Sequence, residues 1–167
     1  MAILNIVHYP NDILSNPTKP VEKVDQVIKR LVQDMFETMY NERGLGLAAN
    51  QVGEALSIFV MDLSKDKSTP LCFINPEVVE TKGEVKLEEG CLSFPGVYAK
   101  LKRPEFVKMR ALDINGEVFE HEGVDYDGRC MLHELDHLKG ITFFDRLSPL
   151  KRKMLEEKYF KRNRERL

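Results

Sequence analysis

The chain has 167 residues, enough for one domain with a sizeable core and short for two, so residues 1–167 are expected to form a single unit. Hydrophobic residues at 43% and charged residues at 31% exclude collagen-like, strongly disordered and low-complexity classes. The net charge of −2 is mild, no apolar run approaches the ~18 residues that span a bilayer, and Met1-Ala2-Ile3-Leu4-Asn5 lacks the basic and apolar regions of a secretory leader. A cytoplasmic protein with neither membrane nor DNA as partner is expected.

In chain order, Ile3 to His8 reads as a short extended segment, followed by a turn at Pro10-Asn11-Asp12. Apolar residues then recur at Val24, Val27, Ile28, Leu31, Val32, Met35, Phe36, Met39 and Tyr40, the spacing of one face of a long helix with Gly44 as its stop. Strand-like runs follow at 57–61, 71–74, 77–85, 97–102, 106–112 and 118–121, separated by turn formers at Asn75-Pro76, Lys82-Gly83, Pro95-Gly96 and Asn115-Gly116. A second helix is predicted over about 125–139, closed by Gly140, and a third from Ser148-Pro149 to about Arg164. The expected class is α+β, with mostly antiparallel strands packed around a central helix, a long N-terminal helix and a C-terminal helix.

The central helix carries His133-Glu134-Leu135-Asp136-His137. Residues four apart share a helical face, so two imidazoles can converge on one divalent ion while Glu134 reaches its open side. A catalytic metal with two His ligands needs a third from the protein, and no His follows His137. The best candidate lies upstream, at Cys91 in Glu88-Glu89-Gly90-Cys91-Leu92-Ser93; Cys72 and Cys130 read as small buried apolar residues. A zincin-like metallopeptidase would share the helix motif but needs a downstream ligand. A closed structural site would need four protein ligands and would give Glu134 no task. The segment Gly44-Leu45-Gly46-Leu47-Ala48-Ala49-Asn50-Gln51 allows close approach of its backbone to a ligand, and it lacks the Lys-Ser/Thr ending of a phosphate loop.

In order, the glycine segment, Glu89-Gly90-Cys91-Leu92-Ser93 and the His133–His137 motif resemble the three signature motifs of peptide deformylases. Pro10-Asn11-Asp12-Ile13-Leu14, Pro20-Val21 and Ser148-Pro149-Leu150 extend the likeness over nearly the whole chain; Leu132 stands where the family commonly has Gln. The resemblance implies a metal-dependent hydrolase that removes the N-formyl group from nascent chains beginning with formylmethionine and releases formate. It implies Cys91, His133 and His137 as metal ligands with a water in the fourth place, and Glu134 as the proton carrier. The Gln51 amide and the Leu92 N–H are implied as oxyanion donors, which makes Gln51→Ala a severe change. The family's metal is ferrous iron, replaceable by zinc, nickel or cobalt, and a ferrous thiolate site is expected to be oxygen-sensitive.

An extended substrate pairing its backbone with Gly46 and the chain near Gly90, beside Gly44, is expected. Residues three, four and seven before His133, namely Cys130, Arg129 and Tyr126, share its helical face and are expected to wall a methionine pocket, with Glu89 at the floor. Asp136 is expected to face away from the metal and to pair with Arg103. From Pro149 to Leu167, eight Lys or Arg stand against three Glu, a net of +5 that leaves −7 on residues 1–148. Leu150, Met154, Leu155, Tyr159 and Phe160 are expected to dock this helix, while the basic stretch from Lys161 to Arg166 is either a solvated end or an electrostatic arm toward the ribosome.

Overall fold

The computed structural model describes residues 2–164. Three helices, α1 (Gln26–Asn41), α2 (Tyr126–Leu138) and α3 (Pro149–Arg162), accompany seven strands. These are β1 (Gly46–Ala48), β2 (Ile58–Met61), β3 (Leu71–Lys82), β4 (Val85–Glu89), β5 (Ala99–Arg103), β6 (Phe106–Leu112) and β7 (Val118–Val124). A five-stranded antiparallel sheet has the order β1-β2-β3-β6-β7, and β4 and β5 form a separate two-stranded ribbon. The α+β class with mostly antiparallel strands is what the sequence predicts.

Every residue of β2, Ile58-Phe59-Val60-Met61, is buried, because a helix covers each face of the sheet. Alternate side chains therefore go opposite ways. Ile58 and Val60 join Leu47, Cys72 and Ile74 under Ile28, Val32, Met35 and Met39 of α1. Phe59 and Met61 join Ala48, Phe73, Val107 and Met109 under Met131, Leu135 and Leu138 of α2. The helix bearing the His motif is thus fixed on the sheet by its own apolar side.

Several local expectations need correction. Helix α1 begins after the Asp25 cap, whose carboxylate accepts from Ile28 N–H, and Val27 is 75% exposed, off the apolar face. The left-handed residue beyond α1 is Arg43 (φ 57°), not Gly44. Asn75-Pro76 is no turn: β3 runs through it with a shift of register, and Asn75 (φ 51°) pairs its side-chain amide with Val21 N–H and C=O, both at 2.8 Å. The run predicted to end at Val85 instead begins a new strand there, β4, after the turn at Lys82-Gly83. The Asn115-Gly116 hairpin forms as expected, with Leu112 opposite Val118 and Gly116 at φ 78°.

The N-terminal segment is held by single bonds rather than as a strand: Val7 N–H donates to Gln51 C=O and Tyr9 N–H to Ser93 C=O. Helix α3 rests on Tyr159, which is fully buried among Phe94, Phe143 and Phe144, with Leu155 and Phe160 beside it. Leu150 and Met154 are exposed and do not dock, contrary to expectation. Nor does the chain beyond Lys161 lack contacts: Arg162 donates to Gly96 C=O, and buried Asn163 to Pro95 C=O. The basic stretch beyond Arg164 lies outside the described residues.

Candidate metal centre

Cys91, His133 and His137 come together, with one donor atom from each lying within 4.8 Å of the others. This is the one group of three or more His, Cys, Asp or Glu side chains with such spacing among the described residues. Cys91 Sγ is 3.2 Å from His137 Nε2. Zinc bonds of about 2.3 Å to sulfur and 2.0–2.1 Å to nitrogen, at tetrahedral angles, separate such donors by roughly 3.3–3.6 Å, so the set fits a divalent ion with small adjustment. His133 Nδ1 faces Glu89 Oε1 at 2.7 Å, which turns its Nε2 toward the other two donors. Both histidines are buried, on the α2 face that looks away from the sheet.

Behind His133 lies a buried ion cluster. Glu89 Oε2 accepts from Arg103 Nε at 2.5 Å and Arg129 Nη1 at 2.6 Å, while Oε1 accepts from Arg103 Nη2 at 3.0 Å as well as facing the imidazole. Arg103 Nη1 reaches Asp136 Oδ2 at 2.9 Å, and Arg146 closes on the same carboxylate. The Asp136–Arg103 pair is the one expected from sequence. Burial alone would raise the Glu89 carboxyl, but the hydrogen bonds from His133 and Arg103 outweigh it and hold it well below the usual carboxylate range. The carboxylate that Glu89 brings to the cleft lining is therefore saturated with donors.

Glu134 is also buried, with Oε1 unpaired among the described residues. Burial pushes its carboxyl up to about 7, with the charges of Glu89 and Asp136 adding to the rise against those of His133 and Arg103. A group near neutrality can both take and return a proton.

Gln51 lies on a 3-10 turn (Ala49–Val52) directly after β1. Its Oε1 accepts from Ala48 N–H at 2.9 Å, which orients Nε2 toward Ser93 Oγ at 3.1 Å and Cys91 Sγ at 3.4 Å. Ser93, fully buried, was not singled out from sequence although it closes the same motif as Cys91. Leu92 follows Cys91 on the loop after β4. Gln51, Cys91 and Leu92 face a cleft of about 950 Å³ whose lining includes Gly44, Gly46, Gly90, Tyr126, Arg129 and Cys130, the residues expected from sequence. Tyr98, which reasoning from sequence missed, covers Gly90 so closely that a Cβ there would lie 2.5 Å from its ring. Tyr126 is half exposed at the rim, whereas the Arg129 guanidinium points into the ion cluster. Leu132 packs against the α2 core cluster, so the departure at this position is one of packing. His8 lines the cleft, and His121 pairs with Asp127 at 3.0 Å.

Comparison with known proteins agrees with this geometry. The family model described as polypeptide deformylase matches residues 3–153. The peptide deformylase of Neisseria gonorrhoeae is 51% identical over 164 residues, covering 98% of each chain. That of Aquifex aeolicus is 48% identical over 162 residues, covering 95% of this chain and 96% of its own. Among solved structures, a peptide deformylase from Legionella pneumophila superposes with a TM-score of 0.95 at 44% identity, covering 99% of this chain and 98% of its own. One from Ehrlichia chaffeensis in complex with actinonin gives 0.93 at 43%, covering 98% and 99%. The zincin-like alternative loses its ground, since the third donor of the cluster is upstream Cys91 and the relatives are deformylases. The chain belongs to the polypeptide deformylase family, metal-dependent hydrolases that remove the N-formyl group from formylmethionyl peptides.

Proposed function

We propose that Cys91, His133 and His137 hold one divalent ion, ferrous iron in the cell with zinc, nickel or cobalt able to replace it, and that Glu134 is the proton carrier of formyl hydrolysis. The observation that supports this reading is the convergence of the three donors beside an unpaired, buried carboxylate. When bound, the ion supplies Lewis acidity and lowers the pKa of a water. Glu134 takes a proton from the attacking water as its oxygen bonds the formyl carbon, and returns it to the peptide nitrogen as the formyl C–N bond breaks, which leaves formate and a free amino terminus. The Gln51 Nε2 and the Leu92 N–H donate to the oxygen of the formyl group as it gains charge, each such donor being worth ~3 kcal/mol. Ala48 N–H and Ser93 Oγ hold the Gln51 amide on that side, leaving the N–H that faces Cys91 Sγ at 3.4 Å free to turn to the formyl oxygen.

The edge strand β1 offers Gly46 for backbone pairing with an extended peptide, and the chain at Gly90 borders the cleft on its other side. Gly44, Cys130 and Tyr126 contribute walls for the methionine side chain, with Glu89 at the floor. The substrate is the formylated end of a newly made polypeptide, and the enzyme works in the cytoplasm. No described helix is long and apolar enough to cross a membrane.

The deciding experiment measures formate release from a formyl-Met peptide by the metal-loaded wild type and Glu134→Ala. A ~100 to 10,000-fold loss with unchanged metal content is expected; full activity in the variant would defeat the assignment. The basic C-terminal helix is proposed to hold the enzyme at the ribosome through the charge of its last stretch, Lys161 to Arg166. Truncation after Phe160 then weakens ribosome binding in a salt-dependent way and spares activity on short peptides; unchanged affinity would exclude that role.

A further inference from the structure

Arg129 sits on α2 one turn before His133 and is 2% exposed. Nη1 bonds Glu89 Oε2 at 2.6 Å and Nη2 bonds Val85 C=O at 2.8 Å, while Nε has no partner among the described residues. Glu89 has no need of it for neutralisation, because Arg103 already grips both of its oxygens. Burying a second guanidinium there, with one N–H unpaired, is not what packing alone favours, since an apolar side chain of similar volume would fill the space without desolvating a charge. Its charge lies instead on the line Arg129–Glu89–His133, through a carboxylate whose other oxygen faces the imidazole at 2.7 Å.

We propose that Arg129 is a positioning residue that acts through Glu89 on His133, limiting how strongly that carboxylate pulls on the Nδ1 proton. This inference rests on the assignment of His133 as a metal ligand. A carboxylate bonded to a ligating imidazole makes the ring a stronger donor and the ion a weaker electrophile. A second cation on the same carboxylate draws its charge away from the ring and keeps the ion electrophilic. Arg129 also spans from α2 to β4 through Val85 and Glu89, so the donor carboxylate is fixed along two directions.

The test uses Co(II)-loaded enzyme and three variants, Arg129→Met, Arg129→Gln and Arg129→Lys. Loss of the charge in Met and Gln should shift the cobalt visible bands and lower kcat by roughly 10-fold, the low end for such supporting residues, with KM within twofold. The rate at which a chelator strips the metal should not increase, because the ring has become a better donor. Lys, which restores a cation, should recover the wild-type bands and most of kcat. If Met fails to fold, Gln against Lys still separates charge from hydrogen bonding. Unshifted bands with a raised KM would make Arg129 a substrate-pocket residue and overturn the proposal. Faster metal loss, or recovery by Gln as complete as by Lys, would reduce it to a structural support. If cobalt fails to bind even to wild type, the ligand assignment itself has failed, a result distinguishable from every outcome above.

Discussion

Gly46 and Glu134 touch so closely that a Cβ at Gly46 would stand 2.7 Å from Glu134 Oε2 and 2.8 Å from Cys130 Sγ. Gly46 pairs with Met61 at the start of β1, so its backbone cannot retreat without breaking that ladder. Gly46→Ala should therefore displace the carboxylate while leaving the fold and the three metal donors in place. The expected result is a loss of deformylation of at least ~100-fold, the worth of a positioned proton carrier, with metal content and melting temperature nearly unchanged. Kinetics on a formyl-Met peptide beside metal analysis checks this.

Arg103 is 6% exposed and is the shared partner of Glu89 and Asp136. Arg103→Leu leaves two buried carboxylates with less than their needed charge, and breaking a buried pair from one side costs about 3–5 kcal/mol. The melting temperature should fall by roughly 10 °C, and metal retention should fall with it because Glu89 no longer orients His133. Calorimetry of the metal-loaded protein gives the first, and chelator competition the second.

Asp62, at the end of β2, accepts from Tyr40 Oη at 2.6 Å, from Ser64 N–H and Oγ, and from Thr69 Oγ1. Burial opposes its ionisation, but the bonds from Ser64, Tyr40 and Thr69 outweigh it and hold the carboxyl below the usual range. A carboxyl whose folded pKa lies below its unfolded value of ~3.9 adds stability that is fully present above that value and is lost as pH falls through the folded one. Asp62→Asn should thus cost about 1–3 kcal/mol near pH 7, and the gap from wild type should close below about pH 4. Urea unfolding across that range measures it; a gap independent of pH would show that the charge contributes nothing.

The helices, the shared face of His133 and His137 and the Asn115-Gly116 hairpin were legible because each rests on a local rule: a period, a spacing or a turn chemistry. Cys91 could be singled out because its segment fits neither strand nor simple turn. What escaped depends on distant partners. Asn75-Pro76 looks like a break until Val21 supplies the backbone that the Asn75 amide pairs with. Arg129 shares the helical face of His133, as its spacing demands, yet a carboxylate forty residues earlier decides where its charged end goes. Val27 belongs to the apolar run of α1 but points off the face that Ile28, Val32, Met35 and Met39 turn to the sheet, and Leu150 and Met154 precede the stretch of α3 that packs on Phe94 and Phe144.

Cys91 follows the β4–β5 ribbon, whereas the two histidines belong to a helix seated on the five-stranded sheet. An ion shared by all three would therefore cross-link two sheets that share no ladder, adding to the Glu89 cluster that already ties the ribbon to the helix. On the proposed ligand set, losing the ion would do more than silence the chemistry: it would remove one tether of the ribbon and loosen the wall of the cleft that carries Gly90 and Tyr98. The bonds proposed for catalysis would then also help to close the molecule.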